Sequence, residues 1–454
     1  MEGAVISRLP DGTDLTVETL ILGAGASGLV AALAAREAGQ EVLVIEADPV
    51  PSGSTALSAG LIPAAGTRVQ AKAGIEDSAA LFAADIQAKA RGENDPALVD
   101  LLARESGPAI DWLAERYGLP FSIVQDFTYP GHSRHRMHGL PSRSGQELID
   151  SLRAAAEAAG IEIVTKTRGV ALHASDGRIT GLTVRRPDGT KESIRCGRLI
   201  LACNGYGGNR EMVARNMPEI RDALWFGHDG NRGDAVRWGA ALGAEVRHLG
   251  AYQGHGNVAH PHGILITWAV ITGGGVQVNQ EGLRFWDESQ GYSEAARAVL
   301  AQPGGMAWTI FDERIAAIAR QFVDFKQAEA QGAVKTAATI ADLAAVTGLP
   351  EDNLRATLGA IPDPGTDDFG RRFDGPPLTP PYRAVKVTGA LFHTQGGLVV
   401  DDRARVRRTD GGVVENLYAG GGAACGVSGA GDSGYLSGNG LLAAVTLGRI
   451  AGRD

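Results

Sequence analysis

An α/β fold carrying an inserted α+β cap is predicted by three features of the 454-residue chain. The first is a strand–helix–strand pattern over residues 17–46. The second is the return of a strand ending in a glycine turn, at residues 199–208 and again at 416–422. The third is a change of composition after residue 251, where short strands, helices and Pro/Gly breaks alternate. Together they divide the chain into residues 1–251, an inserted segment 252–383 and a returning segment 384–454.

The opening pattern carries the most chemistry. Leu20-Ile21-Leu22 reads as a buried strand, and Gly23-Ala24-Gly25-Ala26-Ser27-Gly28 as a G-x-G-x-x-G turn. Residues 29–38 are rich in helix formers and stop at Gly39, and a second apolar run over 42–45 ends in Glu46. An acid about 20 residues past such glycines completes a dinucleotide-binding, Rossmann-like unit. Gly23 permits the tight turn, Gly25 lets backbone approach a pyrophosphate, and Gly28 lets helix and strand pack closely. The helix start offers free N–H groups to phosphate, and Glu46 offers a carboxylate to a ribose.

Downstream, residues 51–60 are small and hydroxyl-bearing, with Ser54, Thr55, Ser58, Ala59 and Gly60 suited to a flat ligand. Residues 78–92, 95–117 and 145–159 read as amphipathic helices. The basic, histidine-rich stretch 130–136 has no i, i+4 histidine pair and reads as a solvated loop. Residues 161–165, 170–174, 179–185 and 199–202 read as strands, with hairpin turns at Asp176-Gly177 and Asp188-Gly189. Ala202, Asn204 and Gly205 form the second glycine turn, and Gly421 and Gly422 the third. In the inserted segment, 328–345 is Ala-rich and helical, and 362–381 is a Pro/Gly/Asp connector. Asn439-Gly440-Leu441-Leu442 opens a last helix whose N-terminus would face an electron-rich ring edge.

Composition excludes several classes. A net charge of −9 leaves no general nucleic-acid footprint. Three cysteines without metal-type spacing fit a reducing compartment. Residues 1–16 are too polar for a signal peptide, and no apolar run reaches 18 residues. A cytoplasmic protein without a membrane span is expected, with no metal site.

In their order and spacing these pieces resemble the FAD-dependent fumarate reductase and 3-ketosteroid dehydrogenase family over nearly the whole chain. The resemblance rests on GAGASG with Glu46, SGSTALSAG, LACNGYGG, EGLRF from Glu281, HTQGGL from His393, NLYAGG and GYLSGNGLL. It implies an FAD-binding domain of the two-dinucleotide type, with FAD lying between that domain and the cap. The glycine positions above, with Glu46, Ala47, Val170 and residues 439–442, would hold it. No histidine occurs within 51–60, so FAD is expected to be non-covalent. Gly422 stands where the family often has an acid near the ribitol.

The resemblance also separates two branches. In the dicarboxylate branch a histidine, a Thr-Glu pair and an arginine hold carboxylates, and a second arginine donates the proton. Here His255 matches that histidine and Thr267 the threonine, but Trp268 takes the Glu place. Phe392, followed by His393, takes the place of a second substrate histidine. Residues 429–435 lack an arginine, and Tyr292 stands where the donor arginine is expected. Without a guanidinium clamp two carboxylates lose their bidentate hydrogen bonds. The ketosteroid branch fits better: it has tyrosines at the positions of Tyr292 and Tyr435, and Tyr435-Leu436-Ser437 resembles its 4,5-desaturating subgroup.

The expected reaction is α,β-desaturation of a ketone, a 3-ketosteroid or a smaller cyclic ketone. Tyr292, Tyr435 and Ser437 would handle the α proton and the carbonyl, with the assignment of the two tyrosines left open. Trp268 and Phe392 are expected as pocket walls, His255 and His393 as structural or substrate-contacting, and Glu281 with Arg284 as a structural ion pair. The alternative is a reductase of an enone or unsaturated acid using the same site. The electron acceptor, a partner in either case, is left open.

Overall fold

The computed structural model describes residues 6–454, so residues 1–5 of the polar N-terminal stretch lie outside the described residues. Its main sheet is built on five parallel strands, in the order Glu162–Val164, Val42–Ile45, Thr16–Leu22, Lys191–Leu201 and Val413–Ala419. Lys191–Leu201 serves two arrangements. Its first half pairs antiparallel with Arg178–Arg185, while its last three residues run parallel to Leu417, Tyr418 and Ala419. All three glycine turns therefore leave the same sheet edge, at the carboxyl ends of adjacent parallel strands, where α/β sheets bind ligands.

The helix Ala26–Glu37 is buried from Ala26 to Ala35 and packs on the final helix, Asn439–Arg453. Small residues make that contact possible. A Cβ on Gly448 would lie 2.5 Å from the Ser27 carbonyl oxygen, and one on Gly452 2.3 Å from that of Ala31. The two ends of the described chain thus close one core. The helices Ala79–Lys89, Pro96–Tyr117 and Gly145–Ala158 stand where the amphipathic pattern predicts them. Their starts are fixed by N-caps: Ser78, Asp95 and Ser144 accept from the N–H groups of Leu81, Ala97 and Gln146 at 3.2, 3.0 and 3.1 Å.

A second sheet, mostly antiparallel, forms the cap. Its order is Ile264–Leu265, Tyr252–Ala259, Tyr382–Thr394, Met306–Asp312 and Val276–Val278. Leu224–Trp225 and Lys335–Ala337 pair with opposite ends of the 13-residue strand Tyr382–Thr394. The sheet thus reaches beyond residues 252–383 on both sides.

Two local expectations are corrected. Residues 328–345 are not one helix: Val323–Ala330 ends before Gly332, at φ +73°, and Lys335–Ala337 pairs with the long strand before Ile340–Thr347 begins. Sheet pairing overrides alanine propensity there. Residues 130–136 are solvated only in part: Gly131, Ser133 and Arg134 are exposed, but two side chains turn inward. Arg136 is 1% exposed and ion-paired with Asp77 at 2.7 Å and with Asp85, and His132 is also buried.

Among the described residues, no helix is long and apolar enough to cross a membrane, and no cluster of side chains could hold a metal.

Candidate active site

One cavity follows the glycine turns and ends between the main sheet and the cap. At its first end it is lined by Gly23, Gly25, Ala26 and Ser27, by Glu46 and Ala47, and by Ser54, Thr55, Ser58 and Ala59. The Thr55 hydroxyl accepts from the Ala26 N–H at 3.1 Å, which ties the hydroxyl-bearing loop to the helix start. Ser54 Oγ accepts from the side-chain amides of Asn204 and Asn231 at 3.0 and 2.9 Å. Glu46 is buried and accepts from the N–H groups of Ala24 and Asp48 at 2.7 and 2.9 Å. Burial raises its pKa against the pull of those two bonds. A carboxylate has about four acceptor sites, so capacity for ribose hydroxyls remains.

Several expected cofactor contacts stand behind this surface rather than on it. Ala24 supplies its N–H to Glu46. Gly28 brings helix and strand together, since a Cβ there would lie 1.8 Å from the Gly23 carbonyl oxygen. Gly60, at φ +65°, backs onto the Ser144 carbonyl, and Gly205 backs onto Thr394. Leu442 is fully buried in the core. Val170 is set back, and Thr167, Arg168 and Gly169 of its strand form the wall instead. Asn439 is 0% exposed and donates to Ser428 Oγ at 3.1 Å, leaving Gly440 and Leu441 to face the cavity. Ala202, Asn204, Gly421 and Gly422 line it as expected.

The residues present fit FAD. The Cβ direction of Gly25 is open, with only Thr55 Oγ1 nearby at 3.7 Å, so a pyrophosphate can reach the backbone. Ser27 Oγ lies buried on the cavity wall without a hydrogen-bond partner among the described residues. Such an orphaned hydroxyl beside a helix N-terminus suits a phosphate oxygen.

The other end is an aromatic cage. His255 stacks on Tyr292 at 4.7 Å and on Phe392 at 5.2 Å between ring centroids. Trp268 meets His255 edge-on at 5.8 Å, and its indole N–H is buried without a hydrogen-bond partner among the described residues. Tyr292 and Tyr435 face each other at 6.0 Å, and His393 lies 5.7 Å from Tyr435. The structure thus brings together Tyr292, Tyr435, Ser437, His255, Trp268, Phe392 and His393 at one end of the cavity.

Burial sets the protonation states here. It draws His255 down to about 3 and His393 down to about 4, so both rings are neutral at pH 7. The tautomer of His255 follows from its partner. His255 Nδ1 accepts from the Asn257 N–H at 3.1 Å, which places its proton on Nε2. The chain Asn439 to Ser428 to Gln395 orients the Gln395 amide so that its NH₂ donates to His393 Nδ1 at 3.0 Å. His393 Nδ1 also lies 3.3 Å from the Thr394 carbonyl oxygen, which only a proton on Nδ1 would satisfy, so its two neighbours favour opposite tautomers. Burial pushes the Tyr435 phenol up to about 12, moderated by the Gly440 N–H and Tyr292. Burial and the neighbouring Tyr435 also raise Tyr292, against the Ser437 hydroxyl and the Gly438 N–H.

Sequence reasoning missed several participants. Tyr129, Phe226, Phe322 and Asp324 line the cavity, and no local pattern marks them. His132 donates from Nε2 to the Ser437 carbonyl at 3.0 Å, and burial draws its pKa to about 4. Arg284 pairs not with the exposed Glu281 but with buried Glu288 and Asp367, and Arg371 joins Glu288 at 3.0 Å. Arg168 is the sole guanidinium on the described cavity wall, and it is paired with Asp234 at 2.9 Å.

The profile of the FAD binding domain family matches residues 18–441. The chain belongs to that family. It is 33% identical over 451 residues to a probable fumarate reductase of Shewanella frigidimarina, covering 97% of this chain and 75% of that one. Among solved structures it resembles a flavocytochrome c3 fumarate reductase in its open conformation, with a TM-score of 0.81 and 31% identity. That match covers 97% of this chain and 78% of the other. A 3-ketosteroid-Δ4-(5α)-dehydrogenase from Rhodococcus jostii RHA1 shares the fold, with a TM-score of 0.75, 23% identity and coverage of 98% and 99%. FAD is therefore the cofactor, and the protein is an FAD-dependent oxidoreductase of the fumarate reductase family acting on carbon–carbon bonds between their single and double states.

Proposed function

We propose that this oxidoreductase desaturates a ketone α,β to its carbonyl, on a 3-ketosteroid or a smaller cyclic ketone. The observation carrying this reading is the pair Tyr292 and Tyr435, facing each other at 6.0 Å in a cage with no guanidinium at that end. Two phenols among aromatic walls suit a neutral ketone. They offer nothing to replace the clamp a dicarboxylate requires.

The residues divide the work as follows. Tyr435, which lies between Tyr292 and His393, donates to the carbonyl oxygen and stabilises the enolate as charge develops. Tyr292, after losing its own proton to solvent, accepts the α proton as a phenolate, and the Ser437 hydroxyl and Gly438 N–H stabilise that phenolate. The β hydrogen leaves as a hydride, for which bound FAD supplies the acceptor. His255, neutral and protonated on Nε2, lines the cavity at this end, and Phe392 holds the ring it stacks on. The residues placed above, from Gly23 to Leu441, would hold FAD non-covalently, since residues 51–60 offer no histidine for attachment. The assigned parts are residues 1–251 and 384–454 for FAD and 252–383 for the cap. Three free cysteines suit a cytoplasmic setting.

The second reading is reduction of an enone or unsaturated acid, favoured by the 33% identity to a probable fumarate reductase. Anaerobic mixing separates the two. Ketones should bleach the oxidised flavin, and succinate should not. Bleaching by succinate alone, or reoxidation of the reduced flavin by fumarate but not by an enone, overturns the ketone reading.

A further inference from the structure

We propose that Asp324 recognises the end of the substrate remote from the carbonyl, and that this end carries a hydrogen-bond donor, an ammonium or hydroxyl group. The proposal rests on the ketone reading for which end of the substrate meets the tyrosines. The position of Asp324 comes from the cavity itself.

An aromatic wall leads away from the tyrosine pair. Tyr129 lies 6.1 Å from Tyr292, Phe127 5.1 Å from Tyr129, and Phe322 6.0 Å from Phe127, ring to ring. Phe322 immediately precedes the helix Val323–Ala330, and Asp324 sits in the first turn of that helix, on the cavity wall. The other cavity carboxylates are engaged. Glu46 accepts two backbone N–H groups, and Asp234 is paired with Arg168. Asp324 makes no ion pair and no side-chain hydrogen bond among the described residues. Burial alone raises its carboxyl to about 6.

Asp324 is half-buried, and a carboxylate in that position beside an aromatic wall is partly stripped of water, which costs free energy. A donor arriving with the substrate offsets that cost, and a cationic donor does so most strongly. No lysine or arginine faces this end, so a substrate carboxylate would meet an anion and nothing else. Asp324 therefore selects against acids as well as for donors, which is how specificity is built from repulsion and attraction together.

Calorimetric titration of the FAD-loaded protein at pH 8, where Asp324 is ionised, tests this. The probes are ketones in two lengths, 4-substituted cyclohexanones and 17-substituted 3-oxosteroids. Each carries an amine, a hydroxyl, a methyl or a carboxylate at the far end. In the length that binds, the ammonium compound should bind about tenfold or more tighter than the methyl compound, with hydroxyl between. Asp324→Asn should remove the ammonium advantage over the methyl compound. Tightest binding by the carboxylate, equal binding of ammonium and methyl by the native protein, or an unchanged ranking in Asp324→Asn overturns the assignment, as does no binding by either length. Ketones that bind in this order without bleaching the flavin refute the dehydrogenation reading and leave Asp324 supported.

Discussion

Replacing Tyr435 by phenylalanine removes one hydroxyl and keeps the ring. The ring contacts, 5.7 Å to His393 and 6.0 Å to Tyr292, survive, so cage and fold should be preserved. What is lost is a donor aimed at a carbonyl in a buried, low-dielectric site. Tyr435 is 5% exposed, so bulk solvent screens the developing charge little. Removing one such donor elsewhere costs about 10²–10³ in rate, or roughly 2.7–4 kcal/mol. The same range is expected here, chiefly in kcat, because the charge it meets develops only in the transition state. With its phenol pushed up to about 12, Tyr435 stays protonated through pH 10 and should put no limb in the rate profile between pH 6 and 10. The assay is anaerobic stopped-flow bleaching of the flavin by a ketone that the native protein oxidises, with flavin content measured first. A variant with full flavin content that bleaches within fivefold of the native rate refutes the carbonyl-binding role.

Tyr292→Phe should slow the same bleaching by about 10²–10⁴, the usual worth of a general base, with ligand binding retained; an unchanged rate excludes it as the proton acceptor. Gly28→Ala places a methyl 1.8 Å from the Gly23 carbonyl and 3.3 Å from the Ala202 Cβ, neither able to retreat without moving a strand. It should lower stability by about 3 kcal/mol or more and empty the protein of flavin, read from the visible-to-ultraviolet absorbance ratio; normal flavin loading would contradict the packing argument. His132→Phe leaves the buried Ser437 carbonyl without its donor, so an unfolding free energy lower by about 1–3 kcal/mol and a slower proton transfer are expected, and a variant native in both counts against the bracing role. Acid should destabilise the fold through His132, His138, His255 and His393, which burial holds at about 4, 4, 3 and 4. Because these folded values lie below the unfolded value of about 6.5, the unfolded chain gains protons first as pH falls, and stability drops between about pH 6.5 and 4 by roughly 3 kcal/mol per histidine. Glu294, raised to about 7 by burial against the pull of Lys89, and Asp324, raised to about 6, oppose this without cancelling four histidines. A melting temperature flat from pH 7 to 4.5 would be inconsistent with neutral buried rings.

What the sequence revealed was whatever is local. The strand, glycine turn, helix and second strand of residues 16–46 form one stretch of chain, and each is written in periodicity, turn chemistry and caps. Tyr292 and Tyr435 became visible only through resemblance, since nothing in their neighbourhoods names a phenol as reactive. The stretch 130–136 shows why local reading fails. Its charge suggested solvent, yet Arg136 finds Asp77 and Asp85 more than 50 positions away, and His132 finds Ser437 across 305. Long-range pairing turns a basic loop into a buried brace. Asp324 failed in the opposite sense. One acid at a helix start reads as an ordinary N-terminal charge until the cavity beside it is seen.

The site is assembled from two layers with different kinds of support. His255 and Phe392 ride on neighbouring antiparallel strands, Tyr252–Ala259 and Tyr382–Thr394, whose pairing fixes their separation. A register shift between Gln253 and Gly254 allows Gln253 to oppose His393 while His255 opposes Ala390. Sheet residues cannot adjust independently, so this wall sets the shape of the pocket. The proton-handling groups sit instead where elements begin or end. Tyr292 opens a helix straight after Gly291, at φ +132°, and that helix packs on the cap sheet. Tyr435 lies in the loop before the final helix, which packs on the dinucleotide-binding helix. The two phenols therefore belong to different layers and meet only where the layers meet. A displacement of one layer by a few ångströms would leave the sheet wall intact and part the tyrosines. Pocket shape and chemical competence thus depend on separate contacts, and a substitution at the junction should change turnover while sparing both flavin binding and the fold.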